Sequence, residues 1–155
     1  MRLFISGIPG CGKTTFARWL VATQGFVRFP SGEEPEPATF LGELEAARAS
    51  ERSVVIDWGF LSYAFDYVDQ LLDSGFEFWW CDGDRPEAER VFRDRSGHPA
   101  SMDDHIRYMD SVVEHWAWYL ERMADRRLDV IGPGPTFISN EDRWAAIAAY
   151  PRSET

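Results

Sequence analysis

The segment 7–15 carries the residues best suited to chemistry. Glycine, four residues, glycine, lysine and threonine form a pattern whose backbone can curl around a phosphate, so that successive N–H groups point inward. The lysine can then reach the β- and γ-phosphates of a nucleotide, and the threonine hydroxyl can hold Mg²⁺. The pattern predicts a binding site for ATP and Mg²⁺ made by Gly7, Ile8, Pro9, Gly10, Cys11, Gly12, Lys13, Thr14 and Thr15, with Lys13 catalytic and Thr14 a metal ligand.

A single acid ends an apolar, β-branched run and is the second candidate. The run 54–56 is typical of a buried strand, and Asp57 follows it directly. A carboxylate next to the phosphate loop can bind Mg²⁺ through water or accept a proton from an acceptor hydroxyl. Asp57 is therefore predicted to be catalytic and a metal ligand, with a helix cap or turn as the alternative.

Arginines cluster before a break at 96–99 that is rich in turn formers. Phosphoryl transfer needs cations around a γ-phosphate whose charge is spreading. Arg90, Arg93 and Arg95 are the candidates for this catalytic role, and Arg107 could enter from the other side of the break. The alternative is a solvated helix whose arginines pair with acids of the same helix.

The elements that must position these residues alternate between strand and helix. Short apolar runs predict strands at 3–6, 26–29, 53–57, 76–81 and 128–131. Helical periods predict helices at 13–24, 39–50, 62–74, 86–95 and 102–125, and a last helix that Asn140 caps and that runs to 149. Such alternation predicts the fold class α/β, as a three-layer α/β/α sandwich with a five-stranded parallel sheet.

The helix predicted at 102–125 is the longest of the chain. Its buried face is predicted from the spacing of seven apolar residues over six turns, namely Ile106, Met109, Val112, Val113, Trp116, Leu120 and Met123. Most of the many aromatic residues of the chain are likewise expected in the core.

Length and charge narrow the classes of function. The 155 residues fit one domain, predicted over 1–150 with a lid around 93–105 and a tail at 151–155. The net charge of −10, without a run of Lys or Arg, disfavours a nucleic-acid or membrane partner. Cys11 and Cys81 lie far apart without metal-ligand spacing, and no signal peptide is apparent, so a cytoplasmic protein is expected.

Three segments resemble the small P-loop kinases related to nucleoside monophosphate, shikimate and gluconate kinases, polynucleotide kinase 5′-domains and the antibiotic- or toxin-type kinases. The phosphate loop is the specific one. The segment 54–60 is similar to the strand-plus-acid segment of those families, and 85–95 is similar to their arginine-bearing helix that runs into the lid. Several of those families place a catalytic aspartate after the second strand, where this chain has none. The resemblance makes Glu33 or Glu34 a second candidate for the base, and the alternative is a solvated acidic connection that leaves Asp57 alone as base.

The resemblance and the motif predict an ATP- and Mg²⁺-dependent phosphotransferase acting on a small hydroxyl-bearing acceptor. The negative protein favours a neutral or cationic acceptor over a polyanion. A nucleotide-dependent ATPase switch or binding module without an acceptor is the alternative. No Asn-Lys-x-Asp segment follows the fourth strand to read guanine, which leaves ATP as the expected donor.

Overall fold

The computed structural model describes residues 1–29, 37–94, 102–134 and 136–152, with only the backbone for 37–40. Several predictions fall outside these residues, namely those for Glu33, Glu34, Arg95, most of the lid at 93–105 and the end of the tail. They stay predictions, as does the extent of the domain.

Five strands form one parallel sheet, which confirms the predicted fold class. They are β1 (Arg2–Gly7), β2 (Val27–Phe29), β3 (Val54–Asp57), β4 (Glu77–Gly83) and β5 (Arg127–Ile131). Their order is β2-β3-β1-β4-β5, and every pairing is parallel. The strand that leads into the phosphate loop is therefore central, with β3 on one side and β4 on the other.

Helices cover both faces of this sheet in a three-layer sandwich. They are α1 (Lys13–Gln24), α2 (Pro37–Ala49), α3 (Phe65–Asp73, after a 3₁₀ turn at Ser62–Ala64), α4 (Arg85–Asp94), α5 (Met102–Glu114), α6 (Trp116–Met123) and α7 (Asn140–Ala148). Gly25 ends α1 in the left-handed conformation, as its position after the last helical residue predicts. Among the described residues, no helix combines the length and apolarity that crossing a bilayer requires.

The three central strands are apolar because both of their faces are covered. Leu3, Phe4 and Ile5 of β1 have no exposed surface, and Val54 to Ile56 of β3 are equally buried. Phe60 joins Phe4 in an aromatic cluster, with ring centroids 5.5 Å apart, and its carbonyl accepts a hydrogen bond from the Tyr119 hydroxyl at 3.2 Å. This cluster ties the segment after β3 to α6, and it confirms the predicted aromatic core.

The prediction of one long helix at 102–125 is wrong. Helix α5 ends at Glu114, and α6 begins at Trp116 after a break at His115, whose ring lies 3.0 Å from the Ser111 carbonyl. Side-chain contact with a backbone carbonyl one turn earlier competes with continuation of the helix.

The predicted buried face of that helix is right only in part, since Val112 and Met123 are buried and Met109 and Trp116 pack against the core while partly buried. Ile106, Val113 and Leu120 are 52%, 63% and 47% exposed. His105 and Tyr119, which the prediction did not include, are buried together with Val112 and Met123. His105, Val112 and Tyr119 recur every seven residues across the break, and the exposed Ile106, Val113 and Leu120 directly follow them, so the prediction included a neighbouring apolar stripe that faces away from the core.

Helix α7 is capped by Ser139 and not, as predicted, by Asn140, which is the first helical residue. The Ser139 hydroxyl accepts a hydrogen bond from the backbone N–H of Asp142 at 3.0 Å. Serine and asparagine are nearly equivalent as caps, so their order alone does not select between adjacent positions.

Candidate nucleotide and phosphoryl-transfer site

The predicted phosphate loop connects the end of β1 to the start of α1. Gly7, Gly10 and Gly12 all have positive φ angles, of 142°, 84° and 77°. A Cβ atom on Gly7 would lie 2.1 Å from the Cys81 carbonyl oxygen, and one on Gly10 would lie 2.2 Å from the Ala88 carbonyl oxygen. Only glycine fits these two positions, so the loop is seated tightly on β4 and α4.

Lys13, the only lysine in the chain, folds back over this loop. Its Nζ donates hydrogen bonds to the carbonyl oxygens of Gly7 at 3.0 Å and Ile8 at 2.9 Å. The ammonium group therefore lies at the N-terminus of α1, where the helix dipole also favours an anion. Thr15, the next residue but one, is exposed.

Thr14 and Asp57, the two predicted metal ligands, lie in direct contact. The Thr14 hydroxyl donates to Asp57 Oδ2 at 2.8 Å, although Thr14 lies in the first turn of α1 and Asp57 at the end of β3. Their contact follows from the sheet order, since β1 and β3 are neighbours with Ile5 opposite Asp57. Asp57 is buried, with 8% of its surface exposed.

The sequence analysis missed Arg28, which forms an ion pair with Asp57. Arg28 lies on β2 and donates from Nε to Oδ1 at 2.5 Å and from its terminal nitrogen to Oδ2 at 3.0 Å. Both carboxylate oxygens are thus engaged by one planar guanidinium, which is itself almost buried. The only available signal was an arginine between the apolar residues Val27 and Phe29, and the identity of its partner depends on β2 lying next to β3.

A second missed arginine supports the loop from the other side. Arg143 of α7 is 3% exposed, and one terminal nitrogen donates to the carbonyl oxygens of Cys11 at 3.2 Å and Gly12 at 3.4 Å. Its Nε has no hydrogen-bond partner within the described residues. Burial lowers the pKa of this guanidinium from its ordinary value. A cation that binds outward-facing carbonyls leaves the loop's N–H groups free to face a phosphate.

Helix α5 forms a wall of the cleft above the loop. Tyr108 donates its hydroxyl hydrogen to the Gly7 carbonyl at 3.1 Å, and burial raises its pKa well above the usual value. His105 is 7% exposed, packs on Phe92 with ring centroids 4.8 Å apart, and has its pKa lowered by burial. Neither His105 nor Tyr108 was predicted from the sequence to belong to the site.

The cleft has a volume of about 870 Å³, and the loop divides its lining into two sides. Gly59, Leu61 and Tyr63 follow β3 and lie on one side. Phe137 and Ser139, in the segment after β5, lie on the other. The sheet order explains this division, because β3 and β5 are on opposite sides of β1.

Two predicted catalytic arginines turn away from the cleft. Arg90 pairs with Glu87 at 2.5 Å and Asp94 at 2.8 Å, and Arg93 pairs with Glu89 at 2.5 Å, all on α4. Neither contributes to the lining, whereas Arg107 of α5 does. Arg95 lies outside the described residues.

The donor set fits a magnesium nucleotide. Mg²⁺ is usually held in proteins by one or two oxygen ligands, with substrate phosphates and water completing its shell. Thr14 and Asp57 would supply those oxygens beside a loop whose close contacts with β4 and α4 require glycine at positions 7 and 10. No cluster of three or more His, Cys, Asp or Glu that could bind a metal occurs among the described residues.

A glycine-rich loop follows the central strand, and a lysine and a threonine open the next helix. Together with an acid on the neighbouring strand, these features define a P-loop fold of the kinase type. The structure resembles a gluconokinase from Sinorhizobium meliloti 1021, with a TM-score of 0.60 and 18% identity over 95% of this chain and 89% of that one. It also resembles shikimate kinase from Bacteroides thetaiotaomicron, with a TM-score of 0.55 and 15% identity over 96% and 92% of the two chains. No protein-family model and no curated sequence matches the chain. The predicted resemblance to P-loop kinases is thus confirmed for the fold.

Proposed function

We propose that this protein is an ATP- and Mg²⁺-dependent phosphotransferase that moves the γ-phosphate to a small hydroxyl-bearing acceptor. The observation that carries the proposal is the contact of Thr14 with Asp57 beside a loop that only glycine can form. The fold shared with gluconokinase and shikimate kinase agrees with this class of reaction.

The phosphates would bind to the N–H groups of the loop and to Lys13. An incoming β- or γ-phosphate competes with the carbonyl oxygens of Gly7 and Ile8 for the lysine ammonium. Mg²⁺, when bound, would neutralise charge on the transferring phosphate. Thr14 would contact the ion directly, and Asp57 through water or by releasing an oxygen from Arg28.

The acceptor would bind on the β3 side of the cleft, beside Gly59 and Tyr63. The nucleotide base would then lie on the β5 side, near Phe137. Asp57 is the proposed base for the acceptor hydroxyl, and its hydrogen bonds to Arg28 hold the carboxylate in one orientation. Arg107, which lines the cleft and pairs with Asp104 at 3.5 Å, is the arginine proposed to approach the γ-phosphate.

Incubation with γ-labelled ATP, Mg²⁺ and a panel of neutral and cationic hydroxyl compounds tests the proposal. A phosphotransferase moves label to at least one acceptor, whereas an ATPase switch releases labelled phosphate alone. Label found only in phosphate across a broad panel would favour the switch.

Lys13→Ala provides the site control. Loss of its charge should lower the rate of transfer on the order of 100-fold or more, because it removes a cation aimed at the transferring phosphate. Arg52→Ala removes an exposed charge just before β3, at the opposite end of the sheet, and should leave the rate unchanged. Equal rates for Lys13→Ala and the wild type would refute the assignment of the loop.

A further inference from the structure

The two cysteines of the chain, distant in sequence, meet beneath the phosphate loop. Both side chains have no exposed surface, and their thiols share a hydrogen bond. Cys81 lies on β4 directly opposite Gly7, and its carbonyl accepts a hydrogen bond from the Ile8 N–H at 3.0 Å. Cys11 comes from the loop itself, so the pair links the nucleotide cradle to the sheet.

Two cations surround the Cys11 end of this pair. Lys13 Nζ lies 3.7 Å from Cys11 Sγ, and the Arg143 guanidinium donates to the Cys11 carbonyl at 3.2 Å. Within the described residues, Arg143 forms no ion pair with a carboxylate. The Cys11 sulfur is therefore a group whose negative charge this buried cation can stabilise.

The thiols differ in acidity. Burial opposes ionisation of Cys11, but the hydrogen bond from Cys81 and the charges of Lys13 and Arg143 outweigh it and lower the Cys11 pKa to about 6. The hydrogen bond to Cys11, with burial, raises the pKa of Cys81 well above its ordinary value. Cys11 is thus the nucleophilic thiolate, and Cys81 is the thiol held beside it.

We propose that Cys11 and Cys81 are a redox modification site, which a hydroperoxide converts to an intramolecular disulfide that prevents nucleotide binding. The effect on the nucleotide rests on the proposed function, whereas disulfide formation does not.

The chemistry needs only the two thiols and one hydroperoxide. The Cys11 thiolate attacks a peroxide oxygen, the O–O bond breaks, and the leaving hydroxide takes a proton to become water. Cys81 then attacks the sulfur of the Cys11 sulfenic acid, the S–S bond forms, the S–O bond breaks and a second water leaves. Two thiols are oxidised and one peroxide is reduced.

Oxidation would disable the cradle for a geometric reason. A disulfide holds two sulfurs at about 2 Å, far closer than two hydrogen-bonded thiols. Cys81 is held within β4 by its pairing opposite Gly7 and by the hydrogen bond from the Ile8 N–H, so the change falls mainly on the loop around Cys11. That movement redirects the N–H groups that would face the phosphates and removes the sulfur that accepts from Lys13.

Because both thiols are buried, a peroxide reaches them only when the loop lifts from β4. Bound ATP and Mg²⁺ hold the loop in place, so they should slow disulfide formation. This protection connects the modification to the site.

The test treats the reduced full-length protein with hydrogen peroxide and follows two quantities. Peptide mapping by mass spectrometry should find Cys11 joined to Cys81. Binding of a fluorescent ATP analogue should weaken on the order of tenfold or more, the size of one lost hydrogen bond to a charged group, and dithiothreitol should restore it.

Cys81→Ala and Cys81→Ser are the matched controls, each first shown to be folded by thermal unfolding. Both should bind the ATP analogue before peroxide, because Cys81 contributes to the loop through its backbone carbonyl, and neither should form the disulfide afterwards. Cys11→Ser should form no disulfide. Peroxide that yields only sulfinic or sulfonic acid at Cys11, or a disulfide that leaves nucleotide binding intact, would overturn the proposal.

Failure of the proposed function gives a different result. In that case the reduced protein binds no ATP analogue at all, while the mapped disulfide still decides whether the cysteine pair reacts.

Discussion

Asp57 and Arg28 form the ion pair on which the acidic part of the site depends. The pair is almost entirely buried, so each charge relies on the other in place of water. Removal of one partner of such a pair costs about 3–5 kcal/mol of stability, because the remaining charge is left uncompensated.

Arg28→Met should therefore lower the free energy of unfolding by roughly 3–5 kcal/mol. Mg²⁺ should recover part of this loss, because a cation can take the place of the guanidinium beside Asp57. Urea unfolding with and without Mg²⁺ measures both effects.

The double variant Arg28→Met with Asp57→Asn is the control for this ion pair. It removes both charges, so it should be more stable than Arg28→Met alone and should not respond to Mg²⁺. If the double variant is no more stable than the single one, the loss comes from packing of the arginine stem and not from the unpaired carboxylate.

Lys13, Thr14 and Asp57 could be nominated from the sequence because each follows a local pattern that carries its own mechanism. Arg28 and Arg143 could not. Their partners are an acid on a neighbouring strand and two carbonyls of a distant loop, and these contacts exist only once the order of the strands and the position of α7 are known.

At the scale of the element, the phosphate loop is limited by its contact with β4. Gly7→Ala would place a methyl group 2.1 Å from the Cys81 carbonyl oxygen and would strain a φ angle of 142°. The loop would have to leave β4, so we expect loss of nucleotide binding together with lower stability, seen by calorimetry and by thermal unfolding.

Gly42→Ala is the matched control for this glycine. Gly42 lies within α2, no atom within 4 Å opposes an added Cβ, and alanine favours a helix over glycine by roughly 0.5–1 kcal/mol. A small gain in stability without any effect on nucleotide binding is expected. If both variants lost binding, the effect could not be ascribed to the contact with Cys81.

The strands and most helices could be predicted because their signals are local. Apolar runs between turn formers give the five strands, and Gly25 gives the end of α1. The break at His115 has no such signal, since histidine neither breaks a helix nor caps one strongly. The misplacement of Ile106 and Val113 has another cause, since apolar character alone does not separate the buried stripe of α5 from the exposed stripe beside it.

At the scale of the whole molecule, His105 makes the free energy of unfolding depend on pH. Its ring is buried on Phe92, and desolvation lowers its pKa, with Glu89 raising it and Arg93 lowering it by smaller amounts. As pH falls below about 6.5, the unfolded chain takes up a proton that the folded protein resists. The contribution of the neutral His105 ring to the free energy of unfolding is fully present above that pH. It is lost as pH falls through the lower pKa of His105 in the folded state.

The free energy of unfolding should thus decrease between pH 7 and pH 5, and His105→Gln should weaken this dependence because glutamine does not titrate. Urea unfolding at several pH values measures the slope for both proteins. Parallel slopes would show that His105 is not the group responsible.

The sequence predicts a parallel sheet but not the order of its strands. That order decides which residues lie on each side of the phosphate loop. It sets Asp57 and Tyr63 on one side of the loop and Phe137 on the other. This arrangement follows from pairing between strands that are distant in sequence. The pattern of residues along the chain does not show which strands pair or in which register.

The two hydrogen bonds from Lys13 to its own loop would set a minimum binding strength that an anion must exceed at the proposed site. Any anion that recruits the ammonium must first replace the carbonyls of Gly7 and Ile8, so a weak monoanion gains little from the exchange. A chelating polyphosphate repays the same loss through several contacts at once. The proposed site should therefore bind simple monoanions weakly, although they are abundant, and should bind the far scarcer molecules that carry several linked phosphates.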